Sequence, residues 1–112
     1  MLVTKTAAIP SGQSLSPVVD VEWPMHPIAV IIPAAWTAAV LTFSVSVDGS
    51  TYNNLYDDGG NEVTVQADVD RFITLPPALF AGFVDFKVRS GTSGSPVNQG
   101  AERSLTVVLR AY

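Results

Sequence analysis

The sequence predicts an all-β fold: an antiparallel β-sandwich of jelly-roll type with about eight short strands. Three observations predict it. Apolar residues recur with a period of two almost throughout, the signature of strands with one buried face. Turn signals built from Gly, Pro, Asn and Asp recur about every 8 to 12 residues, the spacing of a sandwich or barrel. No stretch of ten or more residues carries a 3.6-residue apolar period.

The elements follow from these rules in chain order. Leu2 to Ile9, Ser14 to Val21 and Ile28 to Ile32 are strand candidates, and prolines at 10, 17, 24, 27 and 33 keep each short or at a sheet edge. In Leu41-Thr42-Phe43-Ser44-Val45-Ser46-Val47 every odd position is apolar and every even one Ser or Thr. Asp48-Gly49 follows as a tight hairpin turn, and Thr51 to Tyr56 returns as the partner strand. A second turn, Asp57-Asp58-Gly59-Gly60-Asn61, leads to alternation from Glu62 to Ala67. Arg71 to Leu75 is a short strand stopped by Pro76-Pro77, and Pro77 to Gly82 suits one helical turn. Phe83 to Ser90 sets Val84, Phe86 and Val88 on one face and Asp85, Lys87 and Arg89 on the other. An uncharged polar loop, Gly91 to Gly100, precedes the closing strand Ser104 to Arg110, with Leu105, Val107 and Leu109 on one face. Nothing marks a repeat, linker or boundary, so residues 1–112 read as one sandwich domain, with 1–33 an extended N-terminal arm or an edge-strand region.

Charged residues make up 14% of the chain, against roughly 25% in an average soluble domain. Hydrophobic residues make up 47%. A net charge of −4, with six basic residues, lacks the clustered Lys and Arg that a nucleic-acid partner requires. The apolar residues alternate with Ser and Thr and are cut by Pro33, so no membrane-spanning helix is expected. The N-terminus lacks the basic start and apolar run of a signal peptide, which reads as a soluble protein made in the cytoplasm and not secreted. With no cysteine, disulfides, thiolate metal sites and thiol nucleophiles are excluded. The apolar excess therefore points to subunit contacts, placed on the Pro-rich first third and the outer Ser/Thr faces.

Few residues offer chemistry. The single histidine, His26, lies in the extended Trp23-Pro24-Met25-His26-Pro27 stretch, which reads as loop or interface. Asp57 to Glu62 is the one plausible calcium loop, yet its spacing matches no established loop and Asp-Gly turns are ordinary hairpin chemistry. Asp68 and Asp70 beside Arg71 read as a charged turn, and a glycosidase cleft would need a larger chain. Gly91-Thr92-Ser93-Gly94 lacks the ending of a phosphate loop. Lys87, Arg89, Arg103 and Arg110 would form a positive stripe facing Asp85 and Glu102 if the last two strands pair. Trp23, Trp36, Tyr52, Tyr56 and Tyr112 are candidates to stack on sugar rings or anchor an interface. No catalytic residue, metal or cofactor is assigned, and no enzyme is expected.

The stretch Ala34-Ala35-Trp36-Thr37 followed by Leu41 to Tyr52, with its Asp48-Gly49 hairpin, resembles galactose-binding-like (discoidin-type) jelly rolls. Phe83 to Ser90 is similar to the strand those domains place after a Pro-rich bend. Across positions 6 to 110 the chain resembles small structural proteins of tailed-bacteriophage virions. The residues that carry this are 33–39 (Pro-Ala-Ala-Trp-Thr-Ala-Ala), Leu55 to Asp58, Lys87 to Thr92 and Arg103 to Arg110. That resemblance implies a virion component that folds in the host cytoplasm, most simply a capsid decoration or cement protein bridging subunits of the major capsid protein. A homotrimer is the expected assembly, with Trp23, Met25, His26 and Pro27 as its contacts. The alternatives are a tail or neck connector, or a carbohydrate-binding module of a fibre or tail that holds glycan through Tyr52, Tyr56, Asp57 and Asp58. No sugar-binding residue is carried over from the discoidin-type domains. The lack of cysteine departs from many of their extracellular members and suits a reducing cytoplasm.

Overall fold

The strand pairing of this chain is that of one long antiparallel hairpin folded back on itself. The computed structural model describes residues 2–111. Its strands are β1 (Leu2–Ile9), β2 (Val19–Asp20), β3 (Met25–Ile31), β4 (Leu41–Ser46), β5 (Asn53–Asn54), β6 (Phe72–Thr74), β7 (Asp85–Ser90) and β8 (Arg103–Ala111). β1 pairs β8, β2 pairs β7, β3 pairs β6 and β4 pairs β5, all antiparallel. Two lateral pairings, β3 with β8 and β4 with β7, then gather the nested hairpin into two four-stranded sheets. Their orders are β1-β8-β3-β6 and β2-β7-β4-β5. That order is a jelly roll.

The two inner faces supply the core. β8 buries Leu105, Val107 and Leu109, β7 buries Phe86 and Val88, and β4 buries Leu41 and Phe43. The segment between β6 and β7 closes one end of the sandwich. Pro76-Pro77 stops β6 and starts a 3-10 turn, Pro77–Leu79, after which Phe80 and Phe83 turn inward. Edge-to-face contacts link Phe43 to Phe80 at 5.0 Å, Phe80 to Phe83 at 6.3 Å and Phe83 to Phe86 at 5.7 Å.

Several expected strands are shorter or displaced, each for a local reason. In the 14–21 stretch only Val19–Asp20 remains a strand, because Pro17 has no N–H to give the ladder. Beside it Ser16 holds β7 through both backbone polar groups of Val88. Its N–H donates to the Val88 carbonyl at 2.9 Å, and its hydroxyl stands in for a carbonyl by accepting the Val88 N–H at 2.9 Å while donating to the Pro17 carbonyl at 2.8 Å. β3 begins three residues before the expected Ile28, and its Pro27 is accommodated by a register shift between Pro27 and Ala29. At that shift the Ile28 carbonyl accepts the Leu75 N–H at 2.8 Å. The 62–67 segment forms only isolated bridges, Tyr56 to Glu62 and Leu41 to Val65, although Val63 and Val65 reach the core as their alternation requires. The hairpin after β4 is wider than a two-residue turn, spanning residues 47–52.

Residues 2–33 are folded onto the body: β1 and β2 are edge strands and β3 is internal to its sheet. β7 and β8 do not pair, since they belong to different sheets. The positive stripe expected from their pairing is therefore broken up: Lys87 and Arg89 lie on one outer face, Arg110 on the other, and Arg103 on neither, its side chain bonding Gln99 and Thr37.

The β7–β8 connection holds the sandwich's other end through Gln99, which is fully buried. Its side-chain amide donates to the Thr37 carbonyl at 3.0 Å and the Ser90 hydroxyl at 2.7 Å, and its oxygen accepts the Thr37 N–H at 2.8 Å. Gly91 makes the entry to this connection possible. Its φ is +88°, and a Cβ there would lie 2.6 Å from the Ser95 carbonyl oxygen and 2.7 Å from the Val97 nitrogen. Gly91→Ala combines backbone strain with a backbone clash and is expected to destabilise the fold by about 2 kcal/mol or more. Urea unfolding monitored by tryptophan fluorescence measures it.

Candidate functional site

The two sheets present outer faces of opposite character. On the β2-β7-β4-β5 sheet the outward positions carry Asp85, Lys87 and Arg89 beside Thr42, Ser44 and Ser46. These groups are engaged with one another. Arg89 donates to the Asn54 side-chain oxygen at 2.7 Å and to the Thr42 hydroxyl at 3.2 Å, and pairs with Glu62 at 3.5 Å. Glu62 in turn accepts the Ser93 N–H at 3.1 Å. Lys87 sits 4.6 Å above the Tyr52 ring. Burial raises the Tyr52 phenol above its ordinary pKa, and the negative charges of Asp85 and Asp48 raise it further.

The β1-β8-β3-β6 sheet is the reverse. Adjacent residues across its strands form rungs on the outward side: Thr4, Val108, Ala29 and Thr74, then Thr6, Thr106, Ile31 and Phe72. Ala8 and Ser104 continue the face at one end, and Leu2, Arg110 and His26 at the other. Among the described residues of these strands, Arg110 is the only outward-facing Lys, Arg, Asp or Glu. Phe72 is 65% exposed on this face, and Leu2 and Ile31 are exposed too. The exposed apolar residues had no distinguishing signal in sequence, because alternation marks two faces without saying which is covered.

A second feature runs along the sandwich end closed by the β6–β7 segment. A groove of about 470 Å³ is lined by Val45, Leu55, Tyr56, Asp57, Asp58, Ala78, Leu79, Gly82 and Phe83. Across Gly82 and Phe83 it adjoins a shallower cleft of about 220 Å³, flanked by Trp23 and Val47. Both flanking side chains are exposed, Trp23 at 73% and Val47 at 74%.

The four residues expected as subunit contacts therefore separate. Trp23 is at the surface, on the turn before β3. Met25 and Pro27 are buried within the chain, opposite Ala111 and Leu109 of β8, so they are not available as contacts. His26 lies half-buried on the outward face opposite Arg110. Of the four residues expected to hold a sugar, Tyr56, Asp57 and Asp58 line one groove and Tyr52 does not, being stacked against Lys87. Asp57 is also committed locally, its carboxylate accepting the Gly59 and Asn61 N–H groups at 2.9 Å. Trp36 is packed against the core, its indole N–H donating to the Ala39 carbonyl at 3.2 Å, while Tyr112 lies outside the described residues. Among the described residues, no group of three or more His, Asp or Glu side chains converges as a metal site.

No protein-family model matches the chain, and comparison with curated proteins gives no match.

The 47–52 loop beside the cleft is organised by Asp48. Its carboxylate accepts the Ser50 N–H at 2.8 Å, the Thr51 N–H at 2.9 Å and the Ser46 hydroxyl at 3.0 Å. The two backbone bonds, first that from Thr51, hold the carboxyl below the ordinary aspartate range. Because the folded-state value is the lower one, the ordering is complete above the ordinary aspartate pKa and is lost as pH falls through the folded-state value. In an acid titration followed by NMR, the Ser50 and Thr51 amide signals are expected to move with an inflection below about pH 3.9. Asp48→Asn removes that inflection.

Proposed function

We propose that this chain is a non-enzymatic structural protein of a tailed-bacteriophage virion, of the capsid decoration type, which seats its β1-β8-β3-β6 face on the capsid surface and bridges capsid subunits. The observation that carries the reading is this outward face, where Arg110 at one end is the single charged residue among the described strands. Its two central rungs hold only Thr, Val, Ala, Ile and Phe, with Val108 and Ala29 buried between exposed Thr4 and Thr74 and with Ile31 and Phe72 exposed. Charges cost most to desolvate, and the centres of protein interfaces are depleted of them. A face of β-branched and small side chains stays dissolved through its threonine hydroxyls, yet gives up little hydration on docking. On the opposite sheet Arg89 is engaged within the chain by Glu62, Asn54 and Thr42, and Lys87 by the Tyr52 ring.

The test is co-sedimentation with expanded capsids of the particle to which the protein belongs. The chain is expected to saturate them, while Phe72→Lys and Thr106→Lys lower the affinity at least about tenfold, a loss of about 1.4 kcal/mol. Both variants are expected to melt within a few degrees of the parent, because Phe72 is exposed and Thr106 half-buried. Capsid binding that is absent, or indifferent to both substitutions, overturns the reading.

A second reading, a carbohydrate-binding module of a fibre or tail, has one observation in its favour: Tyr56, Asp57 and Asp58 share the 470 Å³ groove. An exposed tyrosine beside two carboxylates is suited to stack on one sugar face and accept hydroxyl hydrogen bonds. On this reading a glycan array returns a hit that Tyr56→Ala abolishes while leaving the melting temperature within a few degrees. A chelator then reports whether calcium takes part. A blank array removes it.

A further inference from the structure

Four strands lie at sheet edges, and three of them are blunted. β2 and β5 are two residues long, and β6 is three residues long and ends at Pro76-Pro77. β1 is different. It runs for eight residues without proline or bulge and pairs β8 along its whole length. Among the described residues, no hydrogen bond is made along its other edge. The one charge on β1, Lys5, points inward as edge-guarding charges often do, but its ammonium is already paired with Glu22 of the same chain at 3.4 Å. A long, regular edge whose single charge is compensated within the chain is a template for another strand.

We propose that β1 pairs antiparallel with β1 of a second copy of this chain, about a two-fold axis at Thr6, joining the two β1-β8-β3-β6 sheets into one eight-stranded sheet. The occupant follows from the edge's own complementarity. In an antiparallel pair, residues directly opposite share a face, so inward residues must meet inward ones. The axis must therefore pass through a residue. An axis at Lys5 sets ammonium against ammonium, and one at Thr4 or Ala7 leaves only five residues of β1 in register. The axis at Thr6 pairs residues 3–9 and places Lys5 opposite Ala7, Thr4 opposite Ala8 and Val3 opposite Ile9. Thr6 then meets Thr6, a favourable cross-strand pair. No like charges face each other.

The same edge cannot build the expected trimer. A closed ring by strand pairing is head-to-tail and needs two different edges of comparable length, whereas an isologous contact uses one edge twice. With β1 the only long edge among the described strands, strand pairing closes as a dimer. The pairing also brings the uncharged outward rows Leu2, Thr4, Thr6 and Ala8 of both copies side by side, doubling the sparsely charged face. The inference stands on the edge and not on the identity of what that face docks to.

The chain's lack of cysteine makes the register directly testable. At high micromolar concentration, light scattering is expected to give about twice the 11.9 kDa chain mass. Under mild oxidation Thr6→Cys forms a covalent dimer, because opposed Cα atoms about 4.5–5.5 Å apart lie within disulfide reach. Thr4→Cys alone does not, but the double variant Thr4→Cys, Ala8→Cys does. Thr6→Lys and Thr6→Glu each weaken the dimer by roughly fivefold or more, and mixing the two restores a heterodimer, which shows that both variants fold. A monomer or trimer for the parent chain overturns the proposal. So does cross-linking of Thr4→Cys as efficient as that of Thr6→Cys, or failure of the mixed charge variants to associate. Capsid binding by a monomer would leave the decoration reading intact while refuting this one.

Discussion

The position of β8 between β1 and β3 is the constraint on which the remainder of the molecule depends. It is the longest strand, it is hydrogen-bonded along both edges, and its inward residues Leu105, Val107 and Leu109 are among the most completely buried side chains. By inserting there, the last strand separates β1 from β3 and forces β7 into the opposite sheet. Every later feature follows from that insertion. β1 is left at an edge, and the closing Arg103–Ala111 segment brings Ser104, Thr106, Val108 and a single charge, Arg110, to the outer side of the first sheet, in place of the Asp85, Lys87 and Arg89 of β7.

Charge segregation is the second consequence. A sandwich has two outer faces, and here they have been given different tasks. The second sheet's face is satisfied internally: Arg89 is held by Glu62, Asn54 and Thr42, and Lys87 rests on Tyr52. Groups so engaged have little left to offer a partner. The first sheet's face keeps its hydroxyls and methyls free of ion pairs and presents them on a regular lattice set by the strand spacing. Extending that lattice through the β1 edge is geometrically continuous with the sheet, so the edge and the face belong to one surface.

Much of this was legible in the chain. The period-two patterns of Leu41 to Val47 and Ser104 to Arg110 gave strands whose Leu41, Phe43, Leu105, Val107 and Leu109 face the core. The alternation also read Thr42, Ser44 and Ser46 as a wet face, but these are buried while Val47 is exposed, because side chains of β7 and its neighbours cover the outer side of β4. The closing of β6 by Pro76-Pro77 and the turn at Asp57-Gly60 were equally readable, since proline and glycine act through local backbone geometry. Pairing was not readable. Lys87, Arg89, Arg103 and Arg110 looked like one stripe because their strands are consecutive, and consecutive strands often neighbour each other. Met25 and Pro27 looked exposed because proline flanks suggest an open segment. A register shift admits Pro27 into β3 and turns both residues inward.

The sequence by itself determined an all-β chain, the inward and outward sets of its main strands, the absence of thiol chemistry and the scarcity of charge. Those are properties of single residues and of spacings within one strand. Only the tertiary structure decided which strands are neighbours, and with that which edges stay open and which outer face carries almost no charge. Each of these depends on hydrogen bonds between residues about a hundred positions apart, such as Leu2 with Arg110, and no local pattern encodes a partner so distant.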